Sequence, residues 1–364
     1  MKTKLSHLFL SQKNKSLISI YKKMKKIILF VTCVSIFLLF PACNNQKNKS
    51  LKLRLSHITA PGSSWDIGAQ KFAKLVSRNS AGKINIRVYP GGQLANRNQK
   101  TELQMVQTGA IDMMLVSPII LALHLDPRFD VFGLPWMFPN HKIANKVCDG
   151  LMGEKATEWL KEKNVVALAF GVNGFRQLTN NKKPVTSPDD LKDLKIRVAG
   201  TKLFLTVFKL LGANPTTMNF GEVFTALAQG TVDGQENPLD IIYSSKLYEV
   251  QKYITLWNYA YDPIILVING NKWNKLTDEE KNVLLESAKK AMNFQRDYVD
   301  KNNTELIKKL SDAGMEVAVP TKEQLEKFKK KTEPVYKEFA DRIGENIINL
   351  CKDEVEKAEK NISQ

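Results

Sequence analysis

Residues 174–200 read GFRQLTNNKKPVTSPDDLKDLKIRVAG, and residues 218–238 read MNFGEVFTALAQGTVDGQENP. In LKIRV, Ile196 and Val198 share one face of a strand and Arg197 points to the other. No carboxylate lies within three residues of Arg197. If the strand is buried, the guanidinium needs an anion, because an unpaired buried charge costs several kcal/mol. A ligand carboxylate held by the planar fork would serve. If the strand lies at a sheet edge, Arg197 sits in water. Spacing alone leaves both readings open. Arg176 in GFRQ is a second arginine with apolar or glycine neighbours, and QENP reads as a closing turn.

Outward from this stretch, the chain has 364 residues, enough for one large or two medium domains. Hydrophobic content of 43% with 9% aromatics is that of a globular protein. The formal charge is +17, but residues 1–43 hold eight lysines and no acid, so +9 remains for residues 44–364. That excess is spread over segments that also carry Glu and Asp. The densest cluster, FKKKTEP, has no interleaved aromatics, which speaks against nucleic-acid binding and for a solvated basic surface. A basic cleft that attracts anionic solutes is a third use of the same charge.

At the N-terminus, Lys22, Lys23, Lys25 and Lys26 precede the apolar run IILFVTCVSIFLLF, which ends at Pro41-Ala42-Cys43. A basic region, 14 apolar residues and a small-residue site form a signal peptide over 1–43. The run is short for a membrane-spanning helix of about 20 residues. Met24 opens a compact signal by itself. Cys43, followed by the polar tether 44–50, resembles a bacterial lipoprotein cleavage and lipidation site, although Phe40 stands where Leu is usual. Ordinary secretory cleavage and an uncleaved anchor are the alternatives. Of the four cysteines, Cys148 and Cys351 would remain in the mature chain, and their spacing fits no metal site. They read as two buried free thiols, although an exported protein can form a disulfide.

LKLRLSH and KINIRVYP alternate apolar and polar residues as strands do, with a helix from about Trp65 to Arg78 between them. A second helix and the strand AIDMMLVS follow. Strand, helix, strand, helix, strand is the pattern of a parallel sheet covered on both faces, hence an α/β protein. FDVFGLPWMFPNH is a crossing segment, 141–163 a helix, VVALAFGVN a strand, and 254–269 another. Thr277 and Glu280 form a capping box, and the helical pattern then runs to about Leu310. At 1.5 Å per residue this helix is roughly 50 Å long, enough to lie across two lobes. MEVAVPT reads as a late strand and 321–360 as two amphipathic helices.

The chemistry of an enzyme is missing from the sequence. There is no GxSxG, Walker loop or GxGxxG. His57, His124 and His141 fall in no metal-ligand pair, and no cofactor motif appears. The carboxylate pairs Asp189/Asp190 and Asp233/Glu236 read as turn residues serving backbone hydrogen bonds.

In GFRQ, LKDLKIRV, NFGEVFTALAQGTVDGQENP and KLYEVQKY, and in HITAPGSSWDIGAQKFAKLV, VYPGGQL, TGAIDMMLVS and FGLPWMF, the chain resembles the solute-binding proteins of TRAP transporters, the four-carbon-dicarboxylate type, from about Leu51 to residue 350. The resemblance implies a two-lobe periplasmic-binding-protein-like fold with a hinge and one long helix spanning both lobes. Lobe I would be 51–173 plus 263–302, and lobe II 174–262 plus 303–364. It implies a non-enzymatic, extracytoplasmic protein that traps a small organic acid by lobe closure and delivers it to the small and large membrane subunits of a permease. By the same resemblance, Arg197 would pair with the ligand carboxylate, Arg176 would add a cationic contact, Asn237 would hydrogen-bond the carboxylate and Phe220 would pack on the ligand. His57, Trp136 and Tyr261 are weaker candidates. The apolar run Ser117-Pro118-Ile119-Ile120-Leu121 after the third strand suits a smaller acid than sialic acid. A ligand-presenting partner of a sensor kinase and a lipoprotein adhesin are the alternative functions.

Overall fold

The computed structural model describes residue 17, residues 19–27 and residues 50–362. Residues 17 and 19–27 are helical and exposed and belong to a separate unit, 1–49. The apolar run from residue 28, Cys43 and the tether lie outside the described residues. The second unit begins at Ser50 and carries the fold.

Among the described residues ten strands form one sheet. They are β1 (Leu51–Ser56), β2 (Ile84–Tyr89), β3 (Met113–Val116), β4 (Val165–Asn180), β5 (Lys195–Val198), β6 (Asn214–Thr217), β7 (Gly234–Pro238), β8 (Tyr253–Thr255), β9 (Tyr261–Asn269) and β10 (Glu316–Ala318). Their order is β2-β1-β3-β9-β4-β7-β5-β6, with β8 joining β4 to β10. The strands β1, β2 and β3 are parallel, as are β5, β6 and β7, and helices return the chain between them. The antiparallel pair β4/β9 joins the two parallel sets. β4 pairs with β9 from Val165 to Phe175 and with β7 from Arg176 to Asn180, so one uninterrupted strand passes from the first half of the sheet to the second. The architecture is mixed α/β, the class expected from the alternation of strands and helices.

The long helix runs Asp278–Asp312 and starts at the Thr277/Glu280 capping box. Leu284, Ala288, Ala291 and Met292 pack with Leu53, Phe72 and Ile264 in the core of the first half. Leu306 and Leu310 pack with Leu227, Ile242 and Ile254 in the core of the second. A single apolar stripe at helical spacing therefore enters both cores.

Several elements differ from the sequence reading. QENP is not a turn but the buried strand β7. Segment 141–163 is two helices, His141–Asp149 and Leu151–Lys161, broken at the extended Gly150. A Cβ on Gly153 would lie 1.9 Å from the Cys148 carbonyl oxygen, so only glycine lets the second helix pack this closely on the end of the first. Segment 254–269 splits into β8 and β9, because Trp257 and Asn258 turn their N–H groups to the side-chain oxygen of Gln177 rather than to a strand. The 321–360 region forms four helical pieces, the last Glu345–Ile362, after a break at Gly344 with φ of 102°.

Candidate functional site

Residues from both halves of the sheet and their connections line a cavity of about 40 Å³, with room for about three water molecules. Its wall brings together Arg176 from β4, Arg197 from β5, Asn237 from β7 and Phe220 from the turn ahead of helix Val223–Ala228. From the other half come Thr59, Trp65, Gln99, Ser117, Ile119, Ile120 and Asp262. The Ser117 hydroxyl caps helix Pro118–His124, so the apolar face of its first turn becomes cavity wall.

The two arginines are both buried but differ in their partners. Arg176 is saturated: Nε donates to Glu236 Oε2, Nη2 to Glu236 Oε1 at 2.9 Å and to Asn237 Oδ1 at 3.2 Å, and Nη1 to Asp262 Oδ2 at 2.8 Å. Burial works against its charge, but Glu236 and Asp262 outweigh that and raise its pKa above the ordinary arginine value. Further donors hold the two acids. Tyr259 donates to Glu236 at 2.7 Å, and Ser117 and Asn173 donate to Asp262 at 2.6 and 2.7 Å. Trp65 Nε1 in turn donates to Asn173 at 2.8 Å. Burial nevertheless raises the Asp262 pKa, opposed by Arg176.

Arg197 is 3% exposed in an interior strand, so the edge-strand alternative does not apply. Its Nε and Nη2 donate to the Met218 carbonyl at 3.2 and 2.8 Å, and it forms no ion pair among the described residues. Burial lowers its pKa to about 10, with Glu236 partly opposing and Arg176 adding to the shift. The cavity wall thus contains one matched arginine and one whose charge is not locally neutralised.

Asn237 donates to Gln235 at 2.5 Å, and Gln235 donates to Thr179 at 2.9 Å, which fixes the amide orientation. Phe220 is half-buried against both cores. The weaker candidates do not line the cavity. His57 is fully buried between Asp66 and Thr59. Trp136 packs on Trp257 and Tyr259. Tyr261 donates to Asn145 at 3.0 Å and packs between Phe138 and Phe175. Glu236 is no turn residue, since it alternates inward on β7 beneath Arg176; Asp233 does accept from the Lys195 N–H. Sequence reasoning missed Asp262, Asn173 and Tyr259. The available signal was one acid in the otherwise apolar strand YDPIILVIN, a residue that burial obliges to find partners.

Cys148 and Cys351 are buried free thiols, and burial pushes the Cys148 pKa up to about 12. Among the described residues no group of three or more His, Cys, Asp or Glu side chains could hold a metal ion, and no helix is long and apolar enough to cross a membrane.

The family model "bacterial extracellular solute-binding protein, family 7" (DctP) matches residues 55–342. The chain is 31% identical over 322 residues to the C4-dicarboxylate-binding periplasmic protein DctP of Rhodobacter capsulatus, an alignment covering 88% of this chain and 95% of that protein. The crystal structure of the sugar acid binding protein of Advenella mimigardefordensis, in complex with galactonate, aligns with a TM-score of 0.82 at 34% identity, over 85% of this chain and 99% of that one. A TRAP periplasmic solute binding protein of Sulfurospirillum deleyianum with bound succinate aligns with a TM-score of 0.79 at 30% identity, over 83% and 98%.

Proposed function

Because the chain belongs to the DctP family of bacterial extracellular solute-binding proteins, and is therefore the carboxylate-capturing component of a TRAP-type system, we propose that its ligand carboxylate meets Arg197. The supporting observation is that Arg197 is buried in the cavity wall with a carbonyl but no anion beside it. A carboxylate in a cleft that excludes water needs donors to replace its hydration, and the guanidinium supplies two in one plane. Arg176 takes a different part. Already matched by Glu236 and Asp262, it orients Asn237 and holds the two halves of the site together rather than adding free charge. Phe220 covers the ligand. Closure of the lobes 51–173 plus 263–302 and 174–262 plus 303–364 about β4 would complete the site.

Members of this family are solute-binding proteins rather than enzymes, and this chain captures and delivers rather than transforms. Delivery is to the small and large membrane subunits of a TRAP permease. The signal segment and Cys43 suit an extracytoplasmic protein held to its membrane by lipid, and a single acyl chain binds only marginally, so several would be attached. Cys43→Ser should release the protein into the soluble fraction. A wild-type protein that is already soluble, with its N-terminus elsewhere than Cys43, would refute the anchor.

Isothermal titration with an acid and its neutral amide tests the Arg197 reading. The acid should bind and the amide should not. Equal affinities would refute it.

A further inference from the structure

A second cavity, of about 590 Å³, backs onto the same strands as the first. Alternation separates the two. Asn173, Arg176 and Asn237 line the first, whereas Gly174, Phe175, Gln177 and Pro238 line the second. The second cavity therefore lies behind the strand about which the lobes turn. Its remaining walls come from both proposed lobes: Asn140, Lys142 and Asp300 from 51–173 plus 263–302, and Leu239, Asn303 and Ile307 from 174–262 plus 303–364. A rotation about β4 that widens the front narrows the rear, and the reverse. In this structure the front cavity is small, and the rear one has the size of a small-molecule site, roughly 300–1,000 Å³.

The rear floor is apolar, made by Phe175, Pro238, Leu239 and Ile307. Most of the polar lining is already engaged. The His141 ring stacks on Phe175 with centroids 5.0 Å apart, and its Nδ1 lies 2.5 Å from Asp300 Oδ1. Gln177 donates to the Phe175 carbonyl and to Asn258, and accepts from the N–H groups of Trp257 and Asn258. Among the described residues Lys142 forms no ion pair and the Asn303 amide no hydrogen bond. What remains for an occupant is one ammonium and one amide beside an apolar floor.

We infer that the rear cavity is a second ligand site, for an amphipathic anion with an apolar body and a single acidic head, and that filling it holds the front cleft shut. The body lies on Phe175, Leu239 and Ile307, and the head meets Lys142 and Asn303. The hold on closure rests on the reading that the lobes turn about β4, and not on the role of Arg197. An occupant wedged between walls of both lobes binds the shut form better than the open one. By linkage, the rear ligand and an acid in front then raise each other's affinity.

The probe is 8-anilinonaphthalene-1-sulfonate, an aromatic body with one sulfonate, too large for the 40 Å³ front cavity. Titrated into the purified protein, it should bind with a rise in fluorescence. Lys142→Gln should weaken it about fivefold, the loss of one charge-assisted contact. Asn303→Trp, which places an indole in the cavity from the surface of the long helix, should weaken it by at least about tenfold. Saturating dye, with no acid present, should lower the radius of gyration in small-angle scattering. Dye binding that both variants leave unchanged would overturn the site. Scattering with succinate in place of the dye separates this inference from lobe closure. Compaction by succinate but not by the dye would overturn the rear hold and leave closure standing, and compaction by neither would count against both.

Discussion

Gln295 of the long helix satisfies both backbone groups of Val172 on β4: its side-chain oxygen accepts from the Val172 N–H at 2.9 Å, and its amide donates to the Val172 carbonyl at 2.7 Å. The contact lies at the irregularity between Val172 and Gly174 where β4 slips register against β9, and the amide stands in for the missing strand partner. Gly68 and Gly171 leave space for it, since a Cβ on either would come within 3.0 Å of the Gln295 side chain. The next residue of β4, Asn173, holds Asp262, so the helix is tied to the strand beside the ligand cavity.

Gln295→Met should therefore cost about 2–5 kcal/mol, because it leaves a buried N–H and a buried C=O unpaired. Urea denaturation measures the loss. A cost under about 1 kcal/mol would mean that β4 and β9 close their own ladder without the helix.

The two cavity arginines should separate in their effects. Arg176→Ala strands two buried carboxylates and should lower stability by about 3–5 kcal/mol. Arg197→Ala strands none and should leave stability much closer to wild type, while weakening acid binding by about two to three and a half decades, the same energy read as affinity. Arg197→Lys should recover only part of the affinity, since an ammonium lacks the planar fork. Paired melting and titration curves check both, and an Arg197→Ala protein that keeps its affinity within tenfold would remove Arg197 from the site.

Gly221→Ala should hold the cleft mouth apart, because its new methyl meets the Cβ of Arg97 at 2.8 Å and the Arg97 carbonyl oxygen at 3.4 Å. Affinity should fall about tenfold, about 1.4 kcal/mol of lost closure, and small-angle scattering should show less compaction on adding ligand than in the wild type. Wild-type compaction and affinity in the variant would show that this contact plays no part in closing.

Glu102 should govern part of the pH dependence of stability. It is 1% exposed, Ser56 donates to it, and its other carboxyl oxygen has no partner among the described residues. Burial raises its pKa from 4.5 to about 7, against the opposing Ser56 hydrogen bond. Between these values the unfolded chain gives up the proton and the folded one keeps it. The stabilisation is thus fully present below about pH 4.5 and is lost as pH rises to about 7, amounting to about 3 kcal/mol. Glu102→Gln should flatten the stability profile across that window. Parallel profiles for variant and wild type would place the titration elsewhere.

Local chemistry was legible where it acts over a few residues. The Thr277/Glu280 cap and the apolar spacing behind it located the 35-residue helix to within two residues at either end. Alternation located β1 and β2, and the arginine of LKIRV stood out because no acid lies within three residues of it. QENP misled because asparagine and proline favour turns, yet proline tolerates the last position of β7, where the strand passes into helix Leu239–Ser244.

What the sequence by itself determined, then, is the long helix and the first strands, the family, and the burden of charge that Arg176 and Arg197 bring into the chain. Which arginine is free was decided only by the tertiary structure. Glu236 and Asp262, which claim Arg176, lie 60 and 86 residues away along the chain, and neither approaches Arg197 closely enough to pair with it. Periodicity reports which face of a strand is buried. It carries no information on what another strand places opposite that face, and the partner opposite determines whether a buried charge remains available to a ligand.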